Sequence, residues 1–276
     1  MEIKNIDISN LKLLETTDTK EIYDLENGYI LKRYINLSEN KLNIYRKKLM
    51  LAKNISIKNL ISPKYLYEEN GKINGSIEKK ITGISIADYL RNKRKNNEQI
   101  SLEEIGELYI KKHDIIIEAN KEGINFPDGS YNNFFVNEDT KNVYAIDYDG
   151  MQIKGITSRE FNELIFNINN RFLFSNKKYI NEGIINYNMD IYMMGIEFLF
   201  LTTKLDPISY KLKNIDDFKS FLDYVNLKDS DLRKKLELLY NPNENNKYFK
   251  DELEEFIKEY SLTTDRKGVP RIFIKK

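Results

Sequence analysis

Short apolar runs separated by polar turn formers occupy the first third of the chain. Their lengths and spacing are typical of strands, and an Asn-Gly dipeptide, the strongest short hairpin signal, stands between two pairs of them. The predicted strands are residues 11–15, 21–25, 29–34, 65–68 and 72–81. Apolar residues at helical spacing predict one helix over residues 38–53, with Ser38 as its N-cap. We therefore expect a small antiparallel sheet with one helix.

Beyond Thr82 and Gly83, the apolar residues recur mainly at helical spacing. Ser101 precedes a run that predicts a long helix to Lys121, and the polar run RNKRKNNEQ before it is expected to be a loop. The other predicted helices are residues 86–93, 190–202, 215–225, 229–240 and 249–260; residues 151–187 are expected to be loop-like, and the end to be a basic tail, DRKGVPRIFIKK. Strands followed by helices indicate the α+β class, with two expected domains, residues 1–82 and 83–276.

One apolar hairpin interrupts the helical part of the chain. Two predicted strands, residues 134–136 and 143–146, are joined by turn formers. In an antiparallel pair, the start of the first strand lies beside the end of the second. Asn133 and Asp147 are therefore expected at the same edge, with Asp128 one short loop away. Three oxygen-bearing side chains would then converge where a cation or a phosphate could bind.

The composition limits the classes of protein and of site. The 276 residues include 44 Lys and Arg against 43 Asp and Glu, so no strong overall field attracts nucleic acid or an anionic membrane. The absence of cysteine excludes disulfides, thiolate catalysis and zinc–thiolate sites. The first ten residues lack the pattern of a signal peptide, and the most apolar run, residues 191–201, is too short to span a bilayer. A cytoplasmic protein without a nucleic-acid or membrane partner is expected.

Four motifs, in this order, resemble those of the protein-kinase-like superfamily. They are ENGYILKRY, PDGSYNNFFV, AIDYDG and MDIYMMGIEFL. The resemblance covers most of the chain and implies a bilobal fold, in which a strand-rich N-lobe (residues 1–82) binds the nucleotide. A helical C-lobe (residues 83–276) would hold the catalytic loop and the acceptor. The resemblance also implies that the backbone of Lys79 and Ile81 hydrogen-bonds adenine and that Asp190 braces the catalytic loop.

The resemblance assigns four residues to the chemistry of phosphoryl transfer. Lys32 would grip the nucleotide phosphates, and Asp128 would be the catalytic base. Asn133 and Asp147 would ligate Mg²⁺, which prefers a few hard oxygen ligands together with phosphate oxygens. This set suits transfer from ATP, because that reaction needs held phosphates, a neutralising cation and an oriented hydroxyl.

The chain departs from the superfamily pattern at several positions. The turn ETTDTK stands where a glycine-rich loop is usual, and it has no glycine. Backbone amides then approach phosphate less closely, so Thr hydroxyls or a Lys would have to substitute in part. Phe126 and Pro127 replace the usual His-Arg, which argues against regulation through a phosphorylated activation loop. Ser130 replaces the usual Lys, a change that resembles small-molecule and atypical kinase branches.

The partner of Lys32 is a further departure. The helix Glu that pairs with this Lys in the superfamily falls near Arg46, which cannot pair with a Lys, and Glu39 is a candidate replacement. Glu78 falls near the residue that shapes the adenine pocket, where an apolar side chain is usual. These two positions favour a loss of activity, whereas the intact acidic residues favour catalysis.

The expected function is ATP- and Mg²⁺-dependent phosphoryl transfer by an atypical Ser/Thr protein kinase. Its substrate or partner would be a protein, and residues 151–188 would form the acceptor platform. The alternative is a pseudokinase that acts as a binding module, and nucleotidyl transfer is a third possibility. Structural interpretations stay open as well: Asp128 as a turn residue, Lys32 as an edge-strand cation and Asp149 as a solvated carboxylate.

Overall fold

The computed structural model of the protein forms a mixed α+β structure with a six-stranded sheet and several helices. The α+β class predicted from the order of elements is confirmed. The structure describes residues 2–52, 55–127, 132–156, 180–181, 184–185, 187–203, 219–220, 223, 230–240, 249–264 and 270–275. Most of the predicted acceptor platform and most of the predicted helix at 215–225 lie outside these residues.

The six-stranded sheet is built from the first part of the chain, in the order β1-β5-β6-β4-β3-β2. Its strands are β1 (Glu2–Lys4), β2 (Lys12–Thr16), β3 (Lys20–Asp24), β4 (Tyr29–Tyr34), β5 (Pro63–Glu69) and β6 (Lys72–Lys79). All neighbouring pairs are antiparallel except β1, which runs parallel to β5. The prediction of a purely antiparallel sheet is therefore wrong at the edge formed by β1. The three residues of β1 have mixed polarity and give no periodic signal in the sequence.

One helix, α1 (Glu39–Ala52), packs against this sheet. Its buried Tyr45 and Leu49 join Tyr34 and Leu66 of the sheet in one apolar cluster. The rings of Tyr34 and Tyr45 stack with centroids 5.1 Å apart. The predicted helix is confirmed. Its apolar stripe is buried because it packs against the sheet.

The second part of the chain is mainly helical and holds the larger core. Its helices are α2 (Ile86–Lys95), α3 (Leu102–Lys121), α4 (Tyr187–Thr203), α5 (Ser230–Tyr240) and α6 (Phe249–Glu259). The short strands are β7 (Ile84–Ser85), β8 (Ile124–Asn125), β9 (Phe134–Val136), β10 (Val143–Ala145), β11 (Gln152–Ile153), β12 (Ile180–Asn181), β13 (Ile184–Ile185), β14 (Tyr260–Thr264) and β15 (Pro270–Ile274). Ile116, Phe198 and Leu253, from three different helices, are fully buried together. Within the described ranges, no helix combines the length and the apolar character that a bilayer span requires.

Two predictions about polar segments are wrong in part. The run RNKRKNNEQ was expected to be a loop, yet α2 continues through Lys95 and only residues 96–99 of the run lie outside it. The basic residues of the run lie in the last helical turn, where they interact favourably with the helix dipole. The basic tail is not all tail, because β15 pairs with β14 in register from Tyr260 and Ile274 onward. The sequence of the tail does not reveal this pairing, because the partner strand β14 directly follows helix α6, whose predicted end had included its first residue.

Candidate functional site

Lys32 and Asp147, two of the predicted site residues, lie close together. Lys32 is on β4 in the middle of the sheet, and Asp147 follows β10 in the second part of the chain. The Lys32 Nζ and Asp147 Oδ1 atoms are 3.8 Å apart. Lys32 is buried by the cluster around it, so it is not the exposed edge-strand cation that the structural interpretation allowed.

The hairpin β9–β10 fixes the position of Asp147. Its strands pair antiparallel, with Phe134 opposite Ala145, and the Ile146 N–H donates to the Asn133 carbonyl at 3.0 Å. Asn133 and Asp147 therefore stand at the same edge of the hairpin, as its antiparallel geometry predicts. The backbone of Asp147 is left-handed (φ 66°, ψ 50°), a conformation that Asp tolerates better than most residues and that ends the strand there.

Lys32 pairs with Glu78 of the neighbouring strand β6. The Lys32 Nζ and Glu78 Oε2 atoms are 3.0 Å apart, and both side chains are almost fully buried. The Ser76 hydroxyl donates to Glu78 Oε1 at 2.9 Å. Glu39, the candidate partner from the sequence, is exposed and pairs instead with Arg46 at 2.8 Å, so that assignment is wrong.

Helix α1 sends a lysine, not a carboxylate, toward the site. The buried Lys48 ammonium group donates to the backbone carbonyl of Asp149. Sequence reasoning missed Lys48, although a signal existed: it lies on the same helical face as Tyr45, Leu49 and Ala52. A lysine on the apolar stripe of a helix must either snorkel to water or find a buried acceptor.

Lys20 joins the two carboxylates that follow β10. Its ammonium group donates to Asp147 Oδ1 and, at 2.9 Å, to Asp149 Oδ2. Lys32 adds a weaker contact, with its Nζ 3.8 Å from Asp149 Oδ1. Asp149 is buried, so its interpretation as a solvated carboxylate is wrong. We name Lys20, Lys32, Lys48, Glu78, Asp147 and Asp149 the ion-pair cluster.

The carboxylates of the ion-pair cluster favour the charged forms of Lys20 and Lys32 in spite of burial. Burial disfavours the Lys32 ammonium, but Glu78, then Asp149 and Asp147, outweigh burial and raise the pKa of Lys32. Burial likewise opposes the charge on Lys20, while Asp149 and Asp147 raise the pKa of its ammonium. Burial would raise the pKa of Asp149, yet Lys20 and Lys32 hold it below its usual range. The ammonium groups of Lys20 and Lys32 thus face the Asp149 carboxylate at neutral pH.

Asp190, at the start of α4, holds the segment that leads toward Asp128. Its Oδ1 accepts from the Phe126 N–H and its Oδ2 from Asn120 Nδ2, both at 3.0 Å. Burial is the largest influence on this carboxyl and raises its pKa to about 7, against the opposing hydrogen bonds. Asp128 and Ser130 themselves lie outside the described residues. The bracing role that the resemblance implies for Asp190 stays a prediction, because the contact described here reaches Phe126 and not Asp128.

Lys79 and Ile81, the predicted adenine contacts, lie at and just beyond the end of β6. Lys79 stands opposite Tyr29 of β4, and the Lys80 N–H between the two donates to the Gly28 carbonyl at 2.9 Å. Lys79 directly follows Glu78 of the ion-pair cluster along the chain, and Ile81 is three positions beyond Glu78. Their role toward a base stays a prediction.

The oxygen atoms of the site have two features that bear on a metal ion. Among the residues that the structure describes, no group of three or more His, Cys, Asp or Glu side chains is arranged to hold a metal. Asp149 Oδ1 is buried without a hydrogen-bond donor, and Asp147 is the more exposed of the two carboxylates. A divalent ion here would take only part of its ligands from the protein.

Comparison with models of protein families gave no match to the chain, and comparison with curated proteins gave none. The chemistry of the ion-pair cluster and of the residues around it therefore carries the functional argument.

Proposed function

We propose that the protein is an ATP- and Mg²⁺-dependent phosphotransferase with a bilobal, protein-kinase-like arrangement. The observation that carries the proposal is the approach of Lys32, in the middle of the sheet, to Asp147 at the end of the hairpin, at 3.8 Å. These two residues are more than a hundred positions apart in the chain. The positive charge of Lys32 suits nucleotide phosphates, and the negative charge of Asp147 suits a metal ion.

Lys32 is suited to bind phosphate. Its ammonium group is charged and anchored by Glu78 at 3.0 Å, so little side-chain freedom is lost when a phosphate binds. A lysine binds phosphate as a point charge, and the low dielectric of a buried site strengthens that attraction. Because Glu78 lies on a strand, Lys32 is held without help from α1.

Asp147 and Asn133 would hold Mg²⁺ from the same edge of the hairpin. Two protein ligands fit this ion, which takes its remaining ligands from phosphate oxygens and water. The buried and undonated Asp149 Oδ1 also fits a cation nearby. When bound, Mg²⁺ would supply neutralisation of the charge on the phosphates.

The acceptor hydroxyl would be oriented by Asp128. Asp190 fixes Phe126, two positions before Asp128, through a buried hydrogen bond of 3.0 Å. A carboxylate within reach of the hydroxyl proton can accept it as the phosphoryl group leaves ATP for the hydroxyl oxygen. We propose a Ser or Thr hydroxyl of a protein as the acceptor, and the backbone of Lys79 and Ile81 as the adenine contact.

A binding assay tests the proposal first. ATP with Mg²⁺ should raise the melting temperature of the chain in a concentration-dependent way, because a ligand that binds the native state stabilises it. Asp147→Asn should remove the Mg²⁺-dependent part of this rise. Asp139→Asn, in the exposed turn of the same hairpin, is the matched control and should behave as the parent.

Transfer of radiolabelled γ-phosphate to a generic protein substrate, or to the chain itself, tests the reaction. We expect transfer that Asp147→Asn and Asp128→Asn abolish and Asp139→Asn preserves. Transfer that survives Asp147→Asn would contradict the metal assignment. Mass spectrometry of the product separates the mass of a phosphoryl group from that of a nucleotidyl group.

A binding module is the second candidate, and one observation favours it. The turn between β2 and β3 has no glycine, and Lys20, the first residue of β3, pairs with both Asp147 and Asp149. The chain itself thus supplies a cation to these carboxylates. Such a site could act as a scaffold without nucleotide. A melting temperature that no nucleotide changes, with or without Mg²⁺, would favour this candidate over the phosphotransferase.

A further inference from the structure

Lys20 lies where a cation bound to Asp147 and Asp149 would lie. Its ammonium group hydrogen-bonds one oxygen of each carboxylate, and only 15% of its side chain is exposed. Two carboxylates about one bridging cation form the arrangement in which a divalent ion is also stable. Lys20 comes from a different strand than Lys32, so the site receives two lysines from the sheet.

The turn before β3 holds Lys20 in place. The Thr17 N–H donates to the Lys20 carbonyl at 2.8 Å, and the Lys20 N–H donates back to Thr17 Oγ1 at 3.1 Å. The Ile35 N–H donates to the Thr19 carbonyl at 2.9 Å, which ties the turn to the end of β4. The base of the turn is thereby fixed, whereas the long side chain of Lys20 keeps its rotatable bonds.

We propose that Lys20 is an internal cation that competes with a divalent metal ion for Asp147 and Asp149. A divalent ion bound to Asp147 Oδ1 would stand beside the ammonium group that now occupies that oxygen, and the two like charges repel at close range. The ammonium group of Lys20 therefore releases Asp147 when the metal enters. The inference rests on the proposed function, because that function places the metal at Asp147.

The displaced ammonium group has a ligand of matching charge at hand. A nucleotide that brings its metal to Asp147 also brings phosphate oxygens, and Lys20 moves to these without leaving the site. Lys20 thus becomes a phosphate contact at the end of the turn that lacks glycine. Metal alone binds weakly, since it must displace Lys20 with no phosphate to receive it, whereas metal and triphosphate together bind cooperatively.

Mn²⁺ binding without nucleotide tests the competition directly. Free Mn²⁺ is measured by electron paramagnetic resonance as it is titrated with the 276-residue chain. Lys20→Gln should bind Mn²⁺ at least about tenfold more tightly than the parent, within the usual range of coupling between two ligands. Lys20→Arg keeps the charge and should retain the weak affinity of the parent. Lys12→Gln, an exposed lysine on the adjacent strand β2, is the matched control.

The same variants separate this inference from the proposed function. Equal Mn²⁺ affinity of Lys20→Gln and the parent would overturn the competition, as would an equal gain in Lys12→Gln. If Lys20→Gln gains Mn²⁺ affinity but neither protein binds ATP by calorimetry, the competition stands and the phosphotransferase proposal fails. Circular dichroism checks the fold, and Lys20→Met, which keeps the aliphatic stem, replaces Lys20→Gln should the latter unfold.

Discussion

The buried pair of Lys32 and Glu78 supports an asymmetric prediction for stability. Lys32→Met leaves Glu78 buried with the Ser76 hydroxyl and without any cation within ion-pair distance among the described residues. Glu78→Gln instead leaves Lys32 with Asp147 and Asp149, each at 3.8 Å. The lysine keeps counter-charges and the glutamate does not. Removal of the lysine should therefore cost more.

The distances give the magnitude. At an effective dielectric constant of 20, Coulomb's law gives about 5.5 kcal/mol for charges 3.0 Å apart and about 4.4 kcal/mol for charges 3.8 Å apart. Glu78→Gln thus removes less than half of the attraction on Lys32, whereas Lys32→Met removes the ion-pair attraction on Glu78. Breaking a buried pair costs about 3–5 kcal/mol. We expect the lower end for Glu78→Gln and the upper end for Lys32→Met.

Urea unfolding at pH 7, followed by circular dichroism, measures these free energies for the parent, the two single variants and the double variant. The double variant should cost less than the sum of the singles, because neither charge is left alone. Lys80→Met is the control: its ion pair with Asp24 is exposed to solvent, so little or no loss of stability is expected. A larger loss for Glu78→Gln than for Lys32→Met would refute the reasoning.

Three further variants test other parts of the structure. Asp190→Asn should flatten the pH dependence of stability: burial raises the pKa of this carboxyl to about 7, so its contribution is greatest below about pH 4 and is lost as the pH rises to about 7, which unfolding at successive pH values measures. Gly75→Ala should destabilise by about 3 kcal/mol, because a Cβ there would lie 2.0 Å from the Lys32 carbonyl oxygen; a loss under about 1 kcal/mol would contradict this. Ser101→Ala should cost about 1 kcal/mol in thermal unfolding, because the Ser101 hydroxyl caps α3 by accepting from the Glu104 N–H at 3.1 Å; Ser101→Asp should restore it.

Local signals in the sequence sufficed for most elements of the fold. The Asn-Gly dipeptides fix the ends of β3 and β4 and of β5 and β6, because these turns need residues that tolerate positive φ, as Asn70 and Gly71 do here. The placement of Asp147 at the edge of the hairpin also followed from the sequence. Antiparallel pairing brings the start of the first strand beside the end of the second, independently of the surrounding structure. Such features depend on neighbours along the chain.

The partners of the site residues depend instead on contacts between distant segments. Lys32 stands opposite Ser76 in the pairing of β4 with β6, and Glu78, two residues on, shares its face of the sheet. That contact follows only once β6, and not β5, is known to neighbour β4. Lys48, and the pairing of Lys20 with Asp147 and Asp149, were missed for a related reason, because a buried lysine is rare and only a distant carboxylate or carbonyl makes its burial tolerable.

The charge balance of the ion-pair cluster bears on what the site can bind. The cluster holds three lysines and three carboxyl side chains, so it is close to neutral when all six are charged. A lone anion would be repelled by Asp147 and Asp149, and a lone divalent cation by Lys20 and Lys32, because buried charges are poorly screened. A metal ion that arrives with phosphates disturbs this balance less than either alone, since each of its charges finds an opposite one in the cluster. In the proposed function, Lys20 would therefore give the phosphates a second positive charge beside a turn that has no glycine.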